Sequence, residues 1–164
     1  FNEGFFMDGT PIKQQGQPFS YGMACYPEKH EEAPNMATDI HWAKVKVENG
    51  ASYLVTQMFF DNQKYLTFVE ACRNEGITVP IIPGLKPIVL LNQLTVLPKI
   101  FHVDLPEDLT KALSECKTDA DAATVGVEWC TQQANELKAM GVPSIHFYSM
   151  MATESVRKVA SAIY

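Results

Sequence analysis

One pattern recurs three times along this chain: a helix-like segment ends at a glycine, one to three residues follow, and a buried strand begins. The three glycines are Gly50, Gly76 and Gly141. A glycine just after a helix supplies the left-handed residue that ends it, and a short loop then returns the chain to a sheet. Strands that alternate with helices through such loops favour a parallel α/β sheet.

The spacing of these glycines predicts four strand–helix units. We expect strands over 19–26, 53–60, 79–82 and 145–150, each followed by helix. The wide interval before Gly141 predicts an enlarged helical segment over about 89–140. Residues 1–18, rich in Gly, Pro, Gln and Asn, indicate a loop or hairpin ahead of the domain at 19–164. Four such units make either half of a (β/α)₈ barrel or a small open sheet.

Length and composition narrow the class of protein. The 164 residues suit one domain but fall short of the roughly 200–250 that a closed (β/α)₈ barrel needs. The net charge of −6 disfavours nucleic-acid binding, and no apolar run reaches the about 18 residues of a transmembrane helix. The first residues lack the basic region of a signal peptide, so we expect a cytoplasmic protein with reduced cysteines.

Polar and aromatic residues follow the first predicted strand, where active residues of parallel α/β proteins gather. Tyr26 ends the strand and could contact a flat ring, and His30 in the loop could contact a phosphate or ribose. The alternative is a solvated loop, since Glu28, Lys29 and the neighbouring acids are typical surface residues.

The helix predicted over 39–49, with Thr38 as N-cap, carries a second candidate group. At 100° per residue, Asp39, Trp42 and Lys46 fall within one sector of its surface, beside the buried stripe. Asp39 could hold a sugar hydroxyl and Lys46 a phosphate through charge-assisted bonds. The alternative is an amphipathic helix with a solvated face.

Two amides complete the candidates. Gln57 interrupts an apolar strand near its carboxyl end, and a buried amide needs partners, which a heterocycle or a neighbouring backbone could supply. We expect Pro83-Gly84 to end the third strand, and Gln93, in the next predicted helix, is the nearest polar candidate after it. The sequence has no metal-ligand spacing, P-loop or GxGxxG motif, so we expect no metal site.

Three longer strings resemble the methylenetetrahydrofolate reductase family in its bacterial, flavin-containing form. They are Tyr53-Leu-Val-Thr-Gln-Met-Phe-Phe-Asp61, Gly76-Ile-Thr-Val-Pro-Ile-Ile-Pro-Gly-Leu-Lys-Pro87 and His146-Phe-Tyr-Ser149, and Tyr26-Pro-Glu-Lys-His30 looks like the family's loop after the fifth strand. The resemblance covers residues 19–164 in order and spacing. It implies the C-terminal half of a (β/α)₈ TIM barrel, strands five to eight.

The resemblance also implies roles for individual residues. The expected FAD contacts are Tyr26, His30, Glu31, Glu32, Ala33, Asp39, Trp42 and Lys46, and the expected folate contacts are Gln57 and Gln93. Some relatives have Asn where Trp42 stands, Phe where Leu97 stands, and Arg or Lys where Ala152 stands. The Trp42 contact could therefore be stacking or backbone, and the other two substrate contacts are in question.

The chemistry that the resemblance implies is reduction of 5,10-methylenetetrahydrofolate to 5-methyltetrahydrofolate, with NADH or NADPH as reductant and FAD as carrier, in one-carbon metabolism and methionine synthesis. The family's general-acid Glu lies on the first barrel strand, so no catalytic residue is expected here and none of Glu28, Glu31 or Glu32 takes that role. We expect a homo-oligomer. The alternatives are an inactive half-barrel and a folate- or phosphate-binding barrel without redox chemistry.

Overall fold

A computed structural model describes residues 3–13 and 16–164 of the chain. The elements are β1 (Gly22–Cys25), α1 (Met36–Glu48), β2 (Tyr53–Met58), α2 (Asn62–Asn74), β3 (Ile81–Leu85), α3 (Gln93–Phe101), α4 (Glu107–Ser114), α5 (Asp119–Ala139), β4 (His146–Phe147) and α6 (Thr153–Ile163). No helix in the described residues is both long and apolar enough to cross a membrane.

The four strands form one parallel sheet in the order β1-β2-β3-β4. Strand order equals chain order, without the reversal that marks an open doubly wound sheet. One face of the sheet, with Cys25, Leu54, Ile81 and Leu85, shares a core with α1, α2, α5 and α6. Sequential parallel strands with helices on a single face are the arrangement of a (β/α)₈ barrel, so the α/β half-barrel prediction is confirmed.

The three glycines end their helices as the sequence predicts. Gly50, Gly76 and Gly141 have φ of 101°, 83° and 79°. After α1, the Gly50 amide donates to Val47 O at 2.9 Å and the Ala51 amide to Lys46 O at 3.1 Å. These paired bonds satisfy the last carbonyls of the helix and turn the chain toward β2.

Helix α1 begins earlier than predicted, and Thr38 is not its N-cap. Asn35 is extended at φ −157°, and its side-chain oxygen accepts from the Thr38 amide at 2.9 Å. The Thr38 hydroxyl donates to the same oxygen at 3.0 Å. Both residues are good caps, and the structure uses the one whose backbone leaves the helix.

Pro83-Gly84 does not end β3, contrary to the prediction. The strand continues to Leu85 through an irregularity opposite β2, where the Gly84 amide donates to Thr56 Oγ1 at 2.9 Å. A Cβ on Gly84 would lie 2.5 Å from Thr56 O, so the glycine permits this close approach of two strands.

The segment between β3 and β4 holds three helices, α3, α4 and α5. Gly126 lets α5 lie against the turn after β3, because a Cβ there would meet Ile88 O at 1.9 Å. The loop or hairpin predicted over 1–18 contains an antiparallel bridge between Phe5 and Pro11. Residues 1, 2, 14 and 15 of that prediction lie outside the described residues.

Candidate functional site

A cavity of about 420 Å³ opens beside the loop that joins β1 to α1. Its lining residues are Tyr26, His30, Glu32, Ala33, Pro34, Thr38, Asp39, Trp42 and Lys46. Seven of the eight residues for which the resemblance implies FAD contacts therefore line one cavity. The loop forms one part of the cavity wall, and the first three turns of α1 form the other. The helix takes part because the 100° sector predicted for it faces the cavity.

The loop is held in shape by its own polar groups. Lys29 is left-handed at φ 76°, and its Nζ donates to His30 O at 2.8 Å and to Ala33 O at 2.7 Å. Asp39 is 7% exposed, and its Oδ2 accepts from the His30 amide at 2.9 Å. Asp39 thus ties the loop to α1, a role that the sequence does not reveal.

Aromatic and cationic groups meet at the base of the cavity. The rings of Tyr26 and His30 contact edge to face, 4.6 Å between centroids. Lys46 Nζ donates to Ala24 O at 2.7 Å and lies 5.8 Å from the Tyr26 ring centroid. Burial and the nearby Asp39 charge raise the pKa of Tyr26, which keeps the phenol protonated as a hydrogen-bond donor.

The cavity also combines an exposed ring with a cation, Lys46, beside the carboxylates of Glu32 and Asp39. Trp42 is 55% exposed, an unusual state for an indole, and offers a flat apolar face. Pro34 and Thr38 line the cavity where the 13-residue helix α1 begins, and the amide end of a helix attracts anions. With Lys46 alongside, the cavity suits a ligand that joins an aromatic system to phosphate.

Glu31 is the member of the expected set that the structure places elsewhere. Its Oε2 lies 2.6 Å from Nε2 of His102, the residue that follows α3. The side chain therefore points away from the cavity and toward the helical insertion, so a direct ligand contact for Glu31 has no support in the geometry.

Gln57 and Gln93 lie outside the cavity, and their side-chain amides are oriented in the same way relative to the backbone. Gln57 Oε1 accepts from the Met58 amide at 2.9 Å, and Gln93 Oε1 accepts from the Val89 amide at 2.8 Å. Across the described residues, neither Nε2 donates a hydrogen bond. Each amide oxygen is therefore committed to backbone, and each Nε2 is the end available to an acceptor atom on a ligand.

Sequence reasoning missed a cluster of ionic groups next to this site, in which Glu28 is buried while Lys64 and Asp104 are partly or largely exposed. Glu28 has a side chain only 9% exposed, and its Oε1 accepts from Lys64 Nζ at 2.5 Å and from the Asp104 amide at 3.1 Å. Burial raises the pKa of Glu28, and the Lys64 ammonium opposes that shift. The sequence reading of Glu28 as a surface residue is therefore wrong, because tertiary contacts rather than local composition bury it.

A second cavity, of about 470 Å³, lies between α2 and α5 and includes Phe60, Trp129 and Gln133 in its wall. Its polar groups bond mostly to one another: Asn62 Nδ2 donates to Glu136 Oε2 at 2.7 Å, and Trp129 Nε1 donates to Phe60 O at 3.1 Å. No cation is among the described residues of its wall, so it is a poorer anion site than the loop cavity, although it is slightly larger.

Comparison with known proteins identifies a family. The model described as "MTHFR: Methylenetetrahydrofolate reductase" matches residues 10–163. A Caenorhabditis elegans protein, "Probable methylenetetrahydrofolate reductase (NADPH)", is 35% identical over 153 residues, which cover 92% of this chain and 23% of that one. The Escherichia coli "5,10-methylenetetrahydrofolate reductase" is 31% identical over 153 residues, covering 93% of this chain and 52% of its own.

A solved structure shares the fold. It is titled "Uncharacterized protein from Clostridium thermocellum binds two copies of 5-methyl-5,6,7,8-tetrahydrofolic acid", and it matches with a TM-score of 0.61 at 22% identity. The match covers 87% of this chain and 52% of that one. The chain thus spans about a quarter to a half of the length of these known proteins.

Proposed function

Because the chain belongs to the methylenetetrahydrofolate reductase family, we propose that it forms the later half of the barrel of a flavin-dependent reductase. In that role it supplies one wall of an FAD site and two amides that bind the folate. The reaction is reduction of 5,10-methylenetetrahydrofolate to 5-methyltetrahydrofolate at the expense of NADH or NADPH. The single observation that carries the proposal is that Tyr26, His30, Asp39, Trp42 and Lys46 converge on one cavity.

The residues present fit a flavin nucleotide. Lys46 and the amide end of α1 supply positive potential for phosphate, and the Trp42 and Tyr26 rings supply apolar surface for a heterocycle. If bound there, FAD would supply the redox chemistry that links NADH or NADPH to the folate. The protein's part is to hold the ring system in place and to keep water from it.

Gln57 and Gln93 are suited to orient the substrate. Both present Nε2 as a donor, and a pterin carries ring nitrogens and a carbonyl oxygen that accept. Gln93 is 8% exposed and fixed by two backbone amides, Val89 at 2.8 Å and Leu90 at 3.2 Å. A site pre-organised in this way favours ligands that carry a matching acceptor, because a donor covered by a ligand without one is left unpaired.

Titration of the chain with FAD, followed by quenching of flavin fluorescence, tests the proposal. We expect saturable binding, weakened about tenfold by Lys46→Met, because a charge-assisted bond is worth about 1.5–3 kcal/mol. Lys44→Met on the same helix is the matched control and leaves the affinity unchanged. Circular dichroism establishes that each variant folds.

Two results would contradict parts of this proposal. Equal FAD affinities for the Lys46 and Lys44 variants would show that FAD does not bind in the loop cavity. Saturable binding of 5-methyltetrahydrofolate without any binding of FAD would favour a folate-binding barrel without redox chemistry.

A further inference from the structure

The cavity between α2 and α5 has no part in the proposed flavin or folate site. Its volume of about 470 Å³ lies within the about 300–1,000 Å³ of small-molecule pockets, and it shares no lining residue with the loop cavity. Its wall comes from residues within 60–66 and 129–140 and from Pro106. These segments follow β2 and β3, the inner strands of the sheet, rather than the edge strands β1 and β4 at which further barrel strands would pair.

A hydrogen-bond network fixes which end of the Gln133 amide is free. Asn62 Nδ2 donates to Gln133 O at 3.2 Å and to Glu136 Oε2 at 2.7 Å, so Asn62 Oδ1 is the end that accepts from Gln133. Gln133 Nε2 donates to that oxygen at 3.3 Å. Gln133 is 5% exposed, and within the described residues its Oε1 is buried without a hydrogen-bond partner. Because buried carbonyl oxygens are nearly always paired, this residue of the wall favours a ligand that donates a hydrogen bond.

The wall of the cavity is acidic. Glu136 and Asp61 both line it, and its described lining residues include no lysine or arginine. The Glu136 carboxylate accepts from two neutral amides, Asn62 Nδ2 at Oε2 and Gln132 Nε2 at Oε1, the latter at 3.0 Å. Asp61 Oδ1 accepts from the Gln63 amide at 2.8 Å, as the N-cap of α2. Neutral donors leave both negative charges in place, so the cavity attracts cations.

An indole ring and further apolar groups favour an organic cation over an inorganic one. Trp129 Nε1 donates to Phe60 O at 3.1 Å, which holds the ring at the wall and uses its only polar atom. The side chains of Leu66 and Met140 line the same cavity. An inorganic cation such as Mg²⁺ or Ca²⁺ prefers a full shell of oxygen ligands, whereas a cation with an apolar body is attracted to carboxylates and to an aromatic face together.

We propose that the cavity between α2 and α5 binds a small organic cation, an amine or amidine joined to a flat apolar ring. The N–H groups of the cation donate to the Glu136 carboxylate and to Gln133 Oε1, and its ring packs against Trp129. None of these three residues is a proposed flavin or folate contact, so cation binding does not depend on the proposed function.

Benzamidine is the probe, because it joins a planar cationic donor to an aromatic ring. Trp42 and Trp129 are the two tryptophans of the chain, so a proton–nitrogen NMR spectrum should contain two indole N–H signals, which Trp42→Phe assigns. We expect benzamidine to shift the Trp129 signal saturably and to leave the Trp42 signal in place. Benzamide has nearly the same shape without the charge and should bind at least about tenfold more weakly.

Glu136→Gln removes one charge of the wall and keeps one acceptor oxygen. We expect it to weaken benzamidine binding about tenfold, since a hydrogen bond to a charged group is roughly twice as strong as a neutral one. Glu128→Gln on the same helix, outside the cavity wall, is the matched control and should leave the affinity unchanged. Both glutamates are exposed, so both variants should fold. Equal affinities for the two variants, equal affinities for benzamidine and benzamide, or no saturable shift at Trp129 would overturn the proposal.

A titration in the presence of FAD separates this site from the proposed flavin site. Saturating FAD should leave the benzamidine dissociation constant unchanged, because the two cavities share no lining residue. Competition between FAD and benzamidine would place the amidine in the loop cavity and would overturn the proposal. A chain that binds benzamidine at Trp129 but binds no FAD contradicts the proposed function alone.

Discussion

Lys86 follows β3 directly and has its ammonium enclosed by the core. The residue is 1% exposed, and Nζ has no hydrogen-bond partner within residues 3–13 and 16–164. Burial lowers its pKa, with Cys130 on α5 a weaker opposing influence. An unpaired buried charge is costly, so Lys86→Met should raise the free energy of unfolding at pH 7 by about 1–3 kcal/mol. Urea denaturation measures this, with the exposed Lys99→Met as control.

The same lysine gives a prediction about pH. Its pKa is lowered in the folded chain, so the unfolded chain binds more protons between that pKa and the ordinary lysine value of about 10.4. Stability due to Lys86 therefore rises with pH across this window. The gap between the unmodified chain and Lys86→Met should narrow from pH 7 to pH 10, and a constant gap would contradict the burial of a charged lysine.

At the scale of single residues, the sequence predicts which side chains converge on one cavity better than it predicts which side chains are buried. Tyr26, Trp42 and Lys46 could be selected because strand ends and a 100° helical step place them together. The burial of Glu28 and Lys86 could not be predicted, because it depends on Asp104 and on α5, both far away in the chain. The local indication that Lys86 is buried is its position between Leu85 and Pro87 in an otherwise apolar run.

Elements were predictable where a local rule fixes them. The glycine after each helix fixed the ends of α1, α2 and α5 to within one or two residues. The sequence does not predict the start of α1 correctly, because Asn35 and Thr38 are both competent caps, three residues apart. The prediction that Pro83-Gly84 ends the third strand is wrong, because a glycine inside a strand can mark a close approach of two strands as well as a strand end.

The cap assignment of α1 is itself testable. Asn35→Ala should lower the free energy of unfolding by about 0.5–2 kcal/mol, since the side chain accepts from the Thr38 amide at 2.9 Å. Thr38→Val keeps that bond and loses only the hydroxyl contact to Asn35, so its effect should be smaller. Thermal unfolding of both variants checks this order, and a larger loss for Thr38→Val would favour Thr38 as the N-cap.

Across the whole molecule, the order of strands decided between the two architectures that the sequence left open. Periodicity predicts strands and helices but not their order in a sheet, so half-barrel and open sheet could not be separated by pattern alone. Because the order β1-β2-β3-β4 is sequential and the helices lie on one face, the loops that follow the strands are neighbours at the carboxyl end of the sheet. The loop cavity, Gln57 and Gln93 all lie at this carboxyl end.

The assignment of the flavin site to the carboxyl end of the sheet is tested most directly by mapping where FAD protects the chain from hydrogen exchange. The account predicts protection concentrated in residues 26–46, which line the loop cavity. Residues 60–66 and 129–140, around the cavity between α2 and α5, should exchange at unchanged rates. Protection of those two segments, with none in 26–46, would contradict the assignment.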